Sequence, residues 1–346
     1  MHKPLPAPLK RGDILMIAAV ACTAIILRAI PGLRIIDDAY ITYRYAWNIL
    51  RGLGFVYNLG EPVLGTTTPL YTLMLAAVGW PGAGLTGQAA LPEVSVTLNT
   101  LADGLGAALL FLIAYRLSGE RVLALACGLL WAFSPQSITF AIGGMETSVA
   151  IALMLGAFYA WLVDRPVLAA LIAGLATLTR PDSLIWAGLL APGMIVTRWR
   201  ATAGRPFLSR LPLAEAGSYL LIVTPWVVCA TLFFGSPLPH SIAAKSVAYH
   251  LEPTQGLVAM LQNFSAPFFE DVAFGPTGVI AGALVYPILA ALGGLTLFHR
   301  DRRSLPLVLY PWLYALAFTI ANPLIFRWYN TPPLPFYFLC IVAGLW

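Results

Sequence analysis

Ten blocks of apolar residues follow one another along the chain, near 14–30, 93–115, 122–141, 148–163, 166–180, 183–197, 213–234, 277–298, 305–321 and 333–346, with only short polar joints between most of them. Such a series can fold as a bundle of membrane helices. In lipid every backbone N–H and C=O must find its partner inside the chain, which leaves helices or closed barrels. The blocks are continuous rather than ten-residue alternations, which excludes a barrel. Several are shorter than the ~20 residues of a perpendicular span, so some of these helices are expected to be broken or partly buried. Composition agrees: 59% of the residues are hydrophobic and only 10% charged, where soluble domains carry about 25%. The predicted fold is an all-α polytopic membrane protein, a single transmembrane domain over 1–346. The first block follows Lys10 and Arg11 and reads as an uncleaved span.

The formal charge of +5 does not point to nucleic acid, because the basic residues sit in short clusters between apolar blocks, as topology signals do. Cys22, Cys127, Cys229 and Cys340 all fall inside apolar blocks without metal-like spacing, and are expected to be core thiols rather than disulfides.

Sidedness turns on one stretch. PLYTLMLAAVGW (69–80) is apolar but only twelve residues long, and PGAGLTG behind it is expected to end the helix. With this stretch excluded as a span and the N-terminus inside, the inner joints hold 13 of the 20 basic residues against five acids, the positive-inside pattern. Counting it as a span would turn RWRATAGR and HRDRR outward. It is therefore read as a helix lying on the outer surface. The outer side then receives 31–92 as a first loop, 235–276 as a second large loop, 322–332, and tight turns at GGMET (143–147) and TRPDS (179–183). The unusual polar residues converge on that face.

The first loop opens IIDDAYITYRYAWNIL (35–50). A helix starting near Asp37 or Asp38 sets Tyr40, Tyr43, Trp47 and Leu50 on one face and Arg44, Asn48 and Arg51 on another, an interfacial helix with aromatics at headgroup depth. Capping accounts for one aspartate; the second is left to pair with Arg44 or to face a substrate. Further along, Glu61 lies in a loop of turn residues, Glu146 in GGMET, and Arg180 and Asp182 form a pair expected to hold their turn. The segment FGSPLPHSIAAKS (234–246) supplies His240 and Lys245, and FRWYN (326–330) supplies Arg327. A lone cation at a membrane boundary usually snorkels; cations and acids gathered round one outer cavity would not be so explained. Asp103, inside the second block one turn from Asn99, is read as a hydrogen-bonded packing residue.

One chemistry suits such a face: glycosyl transfer from a sugar on a polyprenyl phosphate. The lipid lies among the spans and its phosphate is a good leaving group. A carboxylate takes the acceptor's proton, and cations or a metal stabilise the departing charge. DDAYITYRYAWNILRGLGFVYNLGEPVLGTTTPLY resembles the first extracytoplasmic loop of GT-C glycosyltransferases, most nearly the branch of terminal mycobacterial arabinofuranosyltransferases and related bacterial membrane proteins. GGMETS, LTRPDS, FGSPLPHSIAAKS and FRWYNTPPLP resemble that branch's later motifs in the same order. The resemblance implies an inverting hexosyl- or pentosyltransferase of the plasma membrane, with the N-terminus cytoplasmic and the active site extracytoplasmic. Its partners would be a polyprenyl-phosphate donor and a glycan, lipid or protein acceptor. Asp37 would be the general base, with Asp38 beside it to orient substrate or hold a divalent metal. Lys245 and Arg327, with His240, would lie near the lipid phosphate, and Arg44, Glu61 and Glu146 near substrate. The chain departs from the branch in two respects. NLGEPVLGTTTPLY lacks a second acid between its proline and glycine, and the chain ends at Trp346 within an apolar block where relatives commonly continue, so a shortened form is expected. A transporter or lipid flippase, and an inactive lipid-binding relative, are the competing readings. Neither an internal repeat nor a midplane cluster of acids speaks for transport.

Overall fold

A computed structural model describes residues 9–86, 90–242, 244, 252–321 and 326–346. Among them the regular structure is helical throughout. The long helices are α1 (Arg11–Ala29), α4 (Leu91–Ser118), α5 (Arg121–Phe133), α7 (Thr147–Leu162), α8 (Pro166–Thr179), α9 (Ser183–Ala201), α11 (Leu213–Phe234), α13 (Glu270–Arg300), α14 (Leu305–Ala321) and α15 (Leu334–Leu345). Nine of the ten apolar blocks each fall on one of them, and the block 122–141 covers α5 and a further short helix. Five of the described helices are long and apolar enough to cross a membrane, and six if the bent pair of α5 and α6 (Pro135–Ile142) is one span. The protein is thus an integral, multi-pass membrane protein. The shorter α7, α8 and α15 are apolar but sit deep in the bundle, with Trp131, Trp186, Phe158 and Phe336 fully buried around them.

Two expectations about the helices need correction. The helix begun by 69–80 does not stop at its glycines: α3 runs Pro69–Thr86, through Pro81. It still falls outside the set able to cross a membrane, and it packs on α2 (Ala39–Leu50). The block 122–141 is not one straight helix but bends by 48° between α5 and α6. Pro135 has no N–H to give the carbonyl of Trp131, four residues back. Arg28 of α1 takes over. Its guanidinium donates to the carbonyls of Ala132 (2.7 Å) and Trp131 (3.3 Å) and to the Ser137 hydroxyl (2.6 Å). Its Nε pairs with Asp103 of α4 at 2.8 Å. Arg28 and Asp103 are both buried. Asp103 is thus the hydrogen-bonded packing residue expected of it, with Arg28 as its buried partner.

The thiols are all free, but only Cys127 and Cys340 are core residues; Cys22 and Cys229 lie on exposed helix faces. Close helix approach shows at Gly293 of α13, where an added Cβ would stand 1.9 Å from the carbonyl of Cys340 on α15. Gly293→Val is expected to force these helices apart and destabilise the bundle by roughly 1–3 kcal/mol, read as a lowered melting temperature in detergent.

Helix directions alternate, so the connections sort to two ends. One end carries the basic joints: Arg121 bonds Asp13, Arg198 bonds Glu215, and Arg303 bonds Asp164 and Asp301. Arg116 and Arg303 both donate to the carbonyl of Leu162. The opposite end gathers 31–68, the turns at 143–146 and 180–182, the segment after α11, and 326–330.

A candidate glycosyl-transfer site at one end of the bundle

The site end is assembled by polar residues spaced four apart on one face of α4. Ser95, Asn99 and Asp103 are all buried. Asp103 holds Arg28, as above. Asn99 donates to the carbonyls of Met145 (2.7 Å) and Ala141 (3.2 Å) at the end of α6. Ser95 shares a hydrogen bond with the Tyr43 hydroxyl of α2. The last carbonyls of a helix lack intrahelical donors. Here they are met by Asn99, by the Arg34 amide on Ile142 (3.2 Å) and, just past the helix, by the Ile36 amide on Gly143 (3.0 Å). The two residues before Asp37 and Asp38 are thereby laid along the Gly143–Glu146 turn.

Gly144 is where this junction is tightest. Its φ of +79° suits glycine, and a Cβ there would meet the Tyr43 hydroxyl at 2.1 Å. The Tyr71 hydroxyl of α3 also donates to its carbonyl at 3.1 Å. Gly144→Ala is expected to destabilise the protein by about 2 kcal/mol and to release the Tyr43–Ser95 contact. A melting temperature equal to that of the native protein would remove this account of the turn.

Asp38 occupies the position before α2 but its side chain does not cap the helix. Asp37 is exposed, and its Oδ1 accepts the Asp38 N–H at 3.0 Å. Capping by Asp38, the bland account of the pair, is therefore not what the helix uses. Along α2, Arg44 is exposed and its Nε donates to the carbonyl of Tyr57 at 3.2 Å. Asn48, expected on an outward face, is instead buried and donates to Val56 (2.7 Å) and Tyr57 (3.0 Å). The Tyr45 hydroxyl donates to Val63 and accepts from the Gly65 N–H. Glu61 is exposed and accepts from Asn58 at 3.0 Å. His240 joins this loop: its N–H donates to the carbonyl of Leu64 (2.9 Å) and its Nδ1 accepts from the Leu64 N–H (3.2 Å). Phe55 packs on Trp226 and Phe234 of α11. The first loop and the segment after α11 are therefore one layer.

Glu146 is not presented to a substrate. It is buried, with its Oε1 2.8 Å from Arg180 Nη1. Arg180 also grips Asp182 through Nε (3.0 Å) and Nη2 (2.8 Å), the pair expected of that turn. The Tyr314 hydroxyl donates to Asp182 at 2.7 Å, and the Arg180 guanidinium lies 5.7 Å from the Tyr329 ring. Burial pushes the Glu146 carboxyl up against the pull of Arg180. Burial also acts on Asp182, but there the Arg180 charge and the hydrogen bonds from Arg180 and Tyr314 win and hold it low. This cluster ties the turns at 143–146 and 180–182 to the short 3-10 turn Arg327–Asn330, which begins with exposed Arg327. Lys245 lies outside the described residues. No group of three or more His, Cys, Asp or Glu side chains is placed to hold a metal ion among the described residues.

Sequence reasoning passed over Arg28, Tyr71, Ser95 and Tyr314, and gave Tyr43 only a place on an aromatic face. The spacing of Ser95, Asn99 and Asp103 within an apolar helix was the available signal for three of these contacts.

No protein-family model matches the chain. Over 253 residues it is 28% identical to the terminal β-(1→2)-arabinofuranosyltransferase of Mycobacterium tuberculosis, covering 68% of this chain and 38% of that protein. Its fold is similar to that of ArnT from Cupriavidus metallidurans, solved bound to undecaprenyl phosphate, with a TM-score of 0.62 and 17% identity over 97% of this chain and 60% of ArnT. It is also similar to the oligosaccharyltransferase AglB of Archaeoglobus fulgidus, solved with an inhibitory peptide and a dolichol phosphate, with a TM-score of 0.58 and 13% identity over 96% of this chain and 50% of AglB. The chain spans well under two thirds of the length of each of these proteins.

Proposed function

From the GT-C fold it shares with ArnT and AglB, we propose that this chain carries out inverting glycosyl transfer from a polyprenyl-phosphate sugar. The observation that carries the reading is the exposed Asp37, set at the start of α2 on the same end of the bundle as exposed Arg327 and His240. The acceptor hydroxyl attacks the anomeric carbon and forms the new C–O bond. Its proton passes to the Asp37 carboxylate. The bond from that carbon to the phosphate oxygen breaks, and the polyprenyl phosphate leaves with the electron pair. Arg327 and Lys245, with His240, meet the charge on the leaving phosphate. Asp38 orients the acceptor beside Asp37; a divalent ion there would rest on water and phosphate oxygens for most of its ligands. Glu146, which the resemblance set near substrate, takes a different role: it holds Arg180 and, through Tyr329, the turn that presents Arg327.

The relatives bear on the substrates. ArnT was solved with undecaprenyl phosphate and AglB with dolichol phosphate, which supports a polyprenyl-phosphate donor. The mycobacterial relative transfers arabinofuranose by its name, which supports a pentose; mannose and other hexoses are the alternatives. The basic joints at the far end support a plasma-membrane orientation with the N-terminus cytoplasmic and the site outside. Product NMR tests the mechanism. A product whose anomeric configuration is opposite to the donor's is expected. Retention would overturn the single displacement, and movement of the lipid-linked sugar across proteoliposomes without a new glycosidic bond would favour the transporter reading.

A further inference from the structure

An open groove of about 690 Å³ runs along α2. Tyr40, Arg44 and Trp47 line it together, four and three residues apart, so Arg44 shares a side of the helix with these aromatics rather than lying on a separate face as expected. Tyr57 and Asn58 of the first loop and Leu91 and Pro92 at the start of α4 also line it. Tyr40 is 56% exposed and Tyr57 40% exposed. Arg44 spends only Nε on the Tyr57 carbonyl. Its two terminal nitrogens, the Tyr40 and Tyr57 hydroxyls and the Asn58 amide oxygen have no partner among the described residues.

We propose that this groove is a saccharide-binding subsite that seats the acceptor glycan beside Asp37, an inference that rests on the transfer reading above. Three aromatic rings offer flat faces for the C–H side of a pyranose or furanose ring. The terminal Arg44 nitrogens can donate to sugar hydroxyls, and the tyrosine hydroxyls and Asn58 amide can donate or accept. The size falls in the ordinary range for a small-ligand site, about 300–1,000 Å³. The groove holds a single cation, already anchored, so its chemistry suits a neutral sugar better than a phosphate headgroup. The Tyr40 N–H donates to the Asp37 carbonyl at 3.0 Å, so a sugar lying on Tyr40 is within one tight turn of the base, about 4.5 Å at helical rise.

Saturation-transfer NMR on the purified full chain in nanodiscs tests this, with mannotriose and linear α-1,5-arabinotriose as probes. At least one trisaccharide is expected to receive saturation on its ring protons. Tyr40→Ala and Arg44→Gln should each weaken its binding about fivefold or more. Tyr40→Phe, which keeps the ring, should stay within about twofold. Asp37→Asn should bind it as the native protein does. The subsite is overturned if neither trisaccharide is saturated, or if Tyr40→Ala and Arg44→Gln bind like the native chain. It is equally overturned if those variants lose only retention on anionic vesicles, which would mark the strip as a headgroup contact. The two proposals fail separately: normal transfer by Asp37→Asn would remove the base and leave the subsite standing, whereas native transfer without saccharide binding on α2 would remove the subsite alone.

Discussion

Replacing Asp37 with asparagine is expected to abolish sugar transfer, by a factor of about 10² to 10⁴, the usual worth of a general base. Asparagine keeps the shape and can still accept the Asp38 N–H that Asp37 accepts at 3.0 Å. It cannot take a proton from an attacking hydroxyl. Asp37 is exposed, so the exchange leaves no buried charge and stability should change by less than about 0.5 kcal/mol. Equal melting curves with lost turnover are the expected pair of results. Asp38→Asn should lower turnover less, because its carboxylate orients rather than accepts the proton. If Asp38→Asn abolished turnover and Asp37→Asn only lowered it, the roles assigned to the two acids would exchange.

The largest effect on stability is expected at Arg180. Arg180→Met removes one buried cation that answers both Glu146 (2.8 Å) and Asp182 (2.8 Å). Removing one partner of a buried ion pair typically costs about 3–5 kcal/mol, because the charge left behind has neither water nor counter-ion. Thermal unfolding in nanodiscs measures it. Glu146→Gln together with Arg180→Met should recover part of the loss, since one of the stranded carboxylates is then neutral. A single variant that melts with the native chain would show that the cluster is not holding the two turns. Turnover should fall too, through the Tyr329 contact and the placement of Arg327.

Most of the helical plan was legible in the sequence because apolar blocks report helices directly. The positions of α1, α4, α11 and α14 follow from them within a few residues, whereas α13 starts seven residues before its block, across a kink at Gly275. Breaks inside blocks were harder to see. Pro135 bends α5 from α6, whereas Pro81 is carried through within α3. Proline removes one hydrogen bond in either place. At Pro135 the freed carbonyls have a donor in Arg28, which comes from another helix and cannot be read from local spacing.

The site was legible only in part for the same reason. Asp37 and Asp38 stood out because carboxylates are scarce in this chain. The Arg180–Asp182 pair was visible because its members are two residues apart. Glu146 was set near substrate by the family resemblance, and its partner Arg180, 34 residues on, could not be read from its own turn. That His240 is anchored through Nδ1 to the Leu64 amide, far earlier in the chain, could not be read from its own segment. Partners distant in sequence are brought together by packing, and pattern alone does not pair them.

The most direct measurement of the central claim is the stoichiometry of donor consumption. Purified protein in proteoliposomes would be given polyprenyl-phosphate arabinofuranose, and separately polyprenyl-phosphate mannose, each labelled in both sugar and phosphate, with a glycan acceptor. One donor should be consumed, with one polyprenyl phosphate released for each new glycosidic bond, and the Asp37→Asn protein should release neither. Sugar and phosphate labels that stay joined on the lipid with both donors, while the protein is folded and donor-bound, would contradict the account.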